Sequence, residues 1–444
     1  MLPKPKSYNE SNKGEEDSMK YAYVNGIILD GTQDMEAQRN KVILTENDKI
    51  LGIVPKDSDL NTYQMIDLKG NYIMPGLINL HVHLPGGGKP VKEGVDNGER
   101  IKKLAKNPIV LIAIKKICEK YAKMELMSGV TTIRTVGGAK DYDTSIRDRI
   151  ANGSMVGPRI LASNYAISVP EGHMAGSLAY IANNPDEARE YVKKIASDQP
   201  DLIKLMITGG VLDAKAKGEP GELKMPPDTV RAACEEAHRL GLKVAAHVES
   251  PEGVKVALEN GVDTIEHGAM PDEEIISLFK QRNACQVATL SPALPYALFD
   301  RSISHATEME QYNGKIVFDG IIACAKACLE HDIPVGLGTD TGCPYVTHYD
   351  MWRELYYYHK FCGVSNRFAL YTATKLNAQI GGVGTITGSI ESGKCADFIV
   401  TRKNPLDDLT ALRNIEMVVT RGKIIEHPKV KKVEEIEKEL DKFL

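Results

Sequence analysis

The chain lacks a charge excess of either sign, long apolar runs, paired-cysteine motifs and an abundance of aromatic side chains. Its 55 Lys and Arg stand against 60 Asp and Glu, a net charge of -5. No overall field therefore draws nucleic acid or an anionic membrane, and specificity must come from a local site. No run of eighteen apolar residues occurs, and residues 1–18 hold no apolar signal segment. This excludes a helical membrane span, and the expectation is a soluble, cytoplasmic protein with a disordered 1–18 tail. The eight cysteines form no CxxC pair; only Cys324 and Cys328 lie close, at helical i,i+4 spacing. That favours reduced thiols over a disulfide framework. Aromatic content is 6%, while 38 glycines suit many tight strand-to-helix turns.

What the chain does have is globular composition, 42% hydrophobic and 26% charged over 444 residues, enough for a large core. From Tyr21 to Asp67, short strand-like runs are separated by Asn-Gly, Asp-Gly and Asn-Asp turns, a small β unit. From Gly76 the texture becomes βαβ, with strands expected at 77–84, 130–136, 159–164, 202–208, 243–248, 263–267, 286–290 and 334–339. Asp228 to Leu240 shows the intervening helical pattern: Val230, Ala233, Cys234, Ala237 and Leu240 share one face, and Gly241 stops it. Eight such units fit a (β/α)8 barrel better than an open sheet. From Gly382 strand-like pieces return, so 19–75 and 377–427 are expected to pair into one composite β domain of this α/β chain. The barrel then spans 76–376, and 428–444 reads as a charged amphipathic helix with a solvated face.

Five motifs fall near the C-terminal ends of the expected barrel strands, where barrel enzymes place their sites. His81 and His83 are two apart, so both imidazoles point to one side of a strand. Eleven histidines in 444 residues make such a pair weak evidence alone. Lys204 shares a strand face with Leu202 and Met206. A buried ammonium there must find a carboxylate, lose its proton, or react with carbon dioxide to become a carbamate anion able to bridge two cations. His247 and His267 end consecutive strands, and Asp340 follows the apolar strand that ends at Gly338. Nitrogen and oxygen donors of this kind suit zinc or another late first-row divalent metal, and together they suffice for two ions.

The segments PGLINLHVHL, TTIRTVGG, IKLMITGG, AAHVES, IEHGA, GLGTDTG, ATKLNAQIGG and GSIESGKCADFIV resemble the metal-dependent amidohydrolase superfamily. The chain is most similar to its imidazolonepropionase-related and prolidase-like branch, over about residues 21–425. The resemblance implies a distorted TIM barrel with a composite β-sandwich and a binuclear site. In it, His81, His83 and Asp340 hold one metal, His247 and His267 hold the other, and carboxylated Lys204 bridges them. The implied cofactors are two divalent ions, zinc first, and carbon dioxide for Lys204. Asn79 and Thr135 depart from the family's usual aspartates, which bears on the surroundings of the metal site and on substrate. The branch's Gly-Gly-His appears here as Glu171-Gly172-His173, which makes His173 a catalytic or substrate-contact candidate beside Asp340.

The chemistry this implies is cleavage of a C–N amide bond by a metal-bridging hydroxide, with Asp340 moving the proton to the leaving nitrogen. Expected substrates are small: dipeptides, Xaa-Pro or N-acyl amino acids. Alternatives are cyclic amides, lactones, xenobiotic amides, or mononuclear deamination, for which Glu249, two after His247, is the pointer. The long loops at 85–99 and 208–224 are lid candidates whose lysines favour a carboxylate-bearing substrate. The expected partner is that small molecule, with no nucleic acid or membrane and with a homo-oligomer admissible.

Overall fold

The computed structural model describes residues 18–90 and 108–444. Most of the 1–18 tail and part of the 85–99 loop lie outside the described residues. Strands β1 (Lys20–Val24), β3 (Lys41–Glu46), β4 (Lys49–Pro55) and β5 (Gln64–Asp67) form one sheet, ordered β4-β3-β1-β5. The Asn-Asp turn expected between β3 and β4 is present: Glu46 pairs Lys49, and Asn47 takes φ 54°, a left-handed conformation that asparagine tolerates.

Strands β2 (Ile27–Ile28) and β6 (Tyr72–Pro75) join β17 (Phe398–Thr401), β18 (Met417–Thr420) and β19 (Lys423–Glu426) in a second sheet. Pairing of β6 with β17, Phe398 opposite Pro75, stitches the two ends of the chain together. Tyr23, Ile28, Ile43, Ile73, Phe398 and Val419 form one buried cluster between the sheets. Tyr23 meets Phe398 edge-on, with ring centroids 5.6 Å apart.

The barrel is built from β7 (Leu77–Val82), β8 (Val130–Thr135), β9 (Arg159–Leu161), β10 (Ala166–Ser168), β12 (Leu202–Met206), β13 (Lys243–Val248), β14 (Thr264–His267), β15 (Cys285–Ala288) and β16 (Val335–Leu337), with β11 (Ala179–Ile181) flanking β10. All these pairings are parallel. Two joints close the ring. The Asp201 amide donates to the Ala162 carbonyl at 2.7 Å, and the Asp340 and His83 amides donate to the His81 and Thr341 carbonyls at 2.8 and 3.1 Å.

The third strand, expected as one piece over 159–164, is broken into β9 and β10. Asn164 turns there at φ 58°, and its side-chain oxygen accepts from the Thr144 amide at 3.1 Å. The last barrel strand also stops early, at Leu337. A Cβ at Gly338 would lie 2.4 Å from the His81 Cβ, so glycine alone lets the two strand ends approach. Asn377 locks the same joint, donating to the Ile78 and Leu337 carbonyls and accepting from the Leu337 amide.

All eight cysteines are unpaired. Among the described residues no helix is long and apolar enough to cross a membrane. The C-terminal helix is shorter than expected, Glu434–Leu440, and it is docked rather than solvated. Ile436 and Leu440 are buried, and Glu437 and Asp441 close on Arg353 and Arg413 at 2.6–3.2 Å. Ile436→Ala is expected to lower the unfolding free energy by about 2–4 kcal/mol in a denaturant titration. A loss below about 1 kcal/mol would mean that the helix contributes only exposed ion pairs.

Candidate metal and catalytic site

The expected donors converge at the C-terminal ends of the barrel strands. His81 sits in β7 with His83 just beyond, ring centroids 5.3 Å apart, and His81 lies 5.0 Å from the His267 ring. His247 follows 4.7 Å from His267. Asp340 Oδ1 stands 3.4 Å from His81 Nε2 and 3.1 Å from His83 Nε2. One donor atom each from His81, His267 and Asp340 fall within 4.8 Å of one another.

Each of three rings uses Nδ1 on a neighbour and leaves Nε2 for the site, where those of His81 and His83 face Asp340. His83 Nδ1–H donates to the Gly137 carbonyl at 2.7 Å, His81 Nδ1 faces Glu266 Oε2 at 2.8 Å, and His267 Nδ1 faces Thr289 Oγ1 at 2.6 Å. This is how an imidazole is oriented for a metal. His247 differs, with Nε2 3.2 Å from the Gly209 carbonyl and Nδ1 free. Burial pushes His81 down to about 4, and it drives His247 and His267 well below the ordinary histidine value. All three are neutral at pH 7, the ligating state. Burial opposes ionisation of Asp340, but His81, His83 and His267 outweigh it and hold the carboxyl well below its usual range.

Lys204 is 1% exposed, and its Nζ has no hydrogen-bond partner among the described residues. Burial pushes its amine down to about 8, with Glu266 and Asp340 pulling the other way. A buried amine left without a partner among neutral imidazoles and a carboxylate is a donor set that fits two divalent ions bridged by a carbamate.

Sequence reasoning missed the pair that supports His81. Arg134 donates to Glu266 Oε1 at 2.6 Å and to the Leu80 carbonyl at 2.7 Å, while Thr264 Oγ1 also donates to Glu266 at 2.7 Å. Burial disfavours the Glu266 anion, yet Arg134 and His81 hold its pKa below the carboxylate range. Strand alternation would send Glu266 and His267 to opposite faces. His267 instead adopts φ 66°, which breaks the alternation and brings both side chains inward.

His173 does reach the site: its ring stacks on His247 at 4.2 Å and 6°, and its Nδ1 lies 2.5 Å from Asp213 Oδ2. Asp213 was also missed; the GGVLD turn places it, with the Gly210 amide donating to it at 2.9 Å. The lysines of the 208–224 loop do not form a free positive lid. Lys215 pairs with Glu171, Lys217 with Glu308 and Lys224 with Glu222, at 2.9, 2.7 and 2.6 Å. Local carboxylates thus compensate the charge expected to draw a carboxylate-bearing substrate. The two family departures stand behind the donors. Asn79 accepts from the Thr339 and His81 amides and donates to Thr339 Oγ1, and Thr135 Oγ1 accepts from the Ser163 amide.

Residues 72–425 match the amidohydrolase family. A solved structure from Bifidobacterium longum, provisionally described as a prolidase, is 36% identical, with a TM-score of 0.84 over 96% of this chain and 98% of its own. A Xaa-Pro dipeptidase with methionine bound in its active site is 27% identical, with a TM-score of 0.81 over 92% of this chain and all of its own. An ochratoxinase from Aspergillus niger is 26% identical over 440 residues, covering 91% of this chain and 86% of its own. By its barrel, its motif order and this match, the chain belongs to the amidohydrolase family, in its prolidase-like branch, and is a hydrolase.

Proposed function

We propose that the protein hydrolyses a C–N amide bond in a small substrate of dipeptide, Xaa-Pro or N-acyl amino acid type, using two divalent ions, zinc first. The observation that carries this reading is Lys204, a buried amine with no partner among the described residues, close to His81, His247, His267 and Asp340. His81, His83 and Asp340 would hold one ion, His247 and His267 the other, and carboxylated Lys204 both. When bound, such ions supply Lewis acidity towards a carbonyl and a water nucleophile at neutral pH.

The chain's own groups do the rest. Asp340, held ionised between His81 and His83, accepts the proton of the attacking water and passes it to the leaving nitrogen. Asp213 accepts from His173 Nδ1–H and fixes that ring, stacked on His247, beside the site as a contact for the substrate. Likeness to a Xaa-Pro dipeptidase and to an ochratoxinase supports the substrate class. The binuclear donor set around Lys204 favours this reading over mononuclear deamination.

The test is a screen of the metal-loaded protein against dipeptides and N-acyl amino acids, with cyclic amides, lactones and aminated bases as controls. The expected outcome is amide turnover that a chelator abolishes and zinc restores. Ammonia release from an aminated base by a protein holding one ion per chain would overturn it.

A further inference from the structure

The two halves of the proposed metal site are unequally supplied. One has two imidazoles and the Asp340 carboxylate of its own, whereas the other has only His247 and His267 besides Lys204. Zinc sites in enzymes ordinarily take three protein ligands, carboxylates among them. A third candidate stands beside the poorer half. Glu249 follows His247 by two residues, one past the end of β13, where continued extended backbone would send both side chains to the same side. One donor atom each from His247, Glu249 and His267 lie within 4.8 Å of one another.

Among the described residues no side chain pairs with this carboxylate; only the Val211 backbone amide comes near it. Glu249 Oε2 is buried without a hydrogen-bond partner, and among the described residues no lysine, arginine or histidine forms an ion pair with Glu249. Its backbone, by contrast, is pinned. The Glu249 amide donates to Thr208 Oγ1 at 3.0 Å, and Gly221 packs so closely that a Cβ there would meet the Glu249 carbonyl at 2.5 Å. A buried carboxylate oxygen on a fixed backbone, with no side-chain partner, is matched to a cation that comes from outside the chain.

We propose that Glu249 supplies a carboxylate oxygen to the divalent ion held by His247 and His267, an assignment that rests on the metal-dependent reading above. The ion there then has an anionic ligand of its own, independent of Lys204. Its retention depends on Glu249, and the ion held by His81, His83 and Asp340 does not.

The test is a zinc titration of the metal-free full-length protein against a chromophoric chelator, for wild type, Glu249→Gln and Glu249→Ser. Circular dichroism of each protein reports folding, and the serine variant stands in if the glutamine one misfolds. The expected result is two ions in wild type, and in both variants one ion retained with the other weakened at least about tenfold. The visible spectrum of the cobalt-loaded protein is expected to change in the same variants, a readout independent of turnover. Two ions bound at unchanged affinity in the variants would overturn the assignment alone and leave the hydrolase reading standing. Unchanged zinc affinity with a KM raised only for cation-bearing substrates would also overturn it, moving Glu249 to substrate binding. Wild type that binds no divalent ion would overturn the metal-dependent reading itself.

Discussion

Lys204→Met is expected to lower amide hydrolysis by about 10²–10³-fold or more, the scale of removing one preorganised charged group from an active site, while leaving the metal-free protein as stable as wild type or more so. The two effects run in opposite directions for a physical reason. Among the described residues the Lys204 amine is buried and has no partner, and replacing such a group by an apolar side chain of similar volume is neutral or stabilising. A lysine retained for structure would do the reverse, because its loss would leave a carboxylate orphaned. Glu266 does not need it, since Arg134, Thr264 and His81 already satisfy that carboxylate.

The pH dependence has a defined sign. Only the neutral amine reacts with carbon dioxide, and burial pushes Lys204 down to about 8, so neutral amine is about a tenth of the total at pH 7 and half at pH 8. Reconstitution of metal-free protein with zinc at a fixed concentration of dissolved carbon dioxide is expected to speed up as pH rises from 7 to 8. A rate that falls over that interval, or activity retained in Lys204→Met, would remove the lysine from the site.

Asp340→Asn is the second large effect. Asparagine keeps the size of the side chain and can still offer an oxygen, but it cannot accept the proton of the attacking water. A loss of about 10²–10⁴ in kcat follows from removing general acid–base catalysis. The loss should fall on kcat and kcat/KM together, since the proton is in transit only in the transition state. Asp340 sits at φ 57°, with its amide fixed to the His81 carbonyl, and asparagine tolerates that conformation, so backbone placement is kept. Activity within about threefold of wild type, far short of that loss, would refute the proton-transfer role. A selective rise in KM would reassign Asp340 to substrate binding.

Much of this site was legible in the sequence because its residues obey local rules. His81 and His83 repeat at the strand period. His247, His267 and Asp340 end apolar strands closed by turns, and Lys204 interrupts one. Strand order brings them to one rim, and alternation aligns His81 with His83. What was not legible depends on exceptions to the period or on contacts distant in sequence. Glu266 shares the inward face of β14 with Thr264, and His267 joins it only because its backbone is left-handed; nothing in IEHGA announces a positive φ at a histidine. Arg134 reaches Glu266 across 132 positions of chain. Asp213 meets His173 through a loop whose glycines signalled only flexibility. The lysines of that loop read as a positive lid because their partners, Glu171 and Glu308, lie in other segments. The docked C-terminal helix was hidden similarly: its charges looked solvated until Arg353 and Arg413 supplied the partners.

The most direct test of the central claim is a crystal structure of the zinc-loaded protein grown with bicarbonate, read by anomalous scattering. The account predicts two zinc peaks, one beside His81, His83 and Asp340 and the other beside His247 and His267, with planar density extending from Lys204 Nζ between them. A single peak, or a bare Lys204 amine paired to a carboxylate, would contradict it.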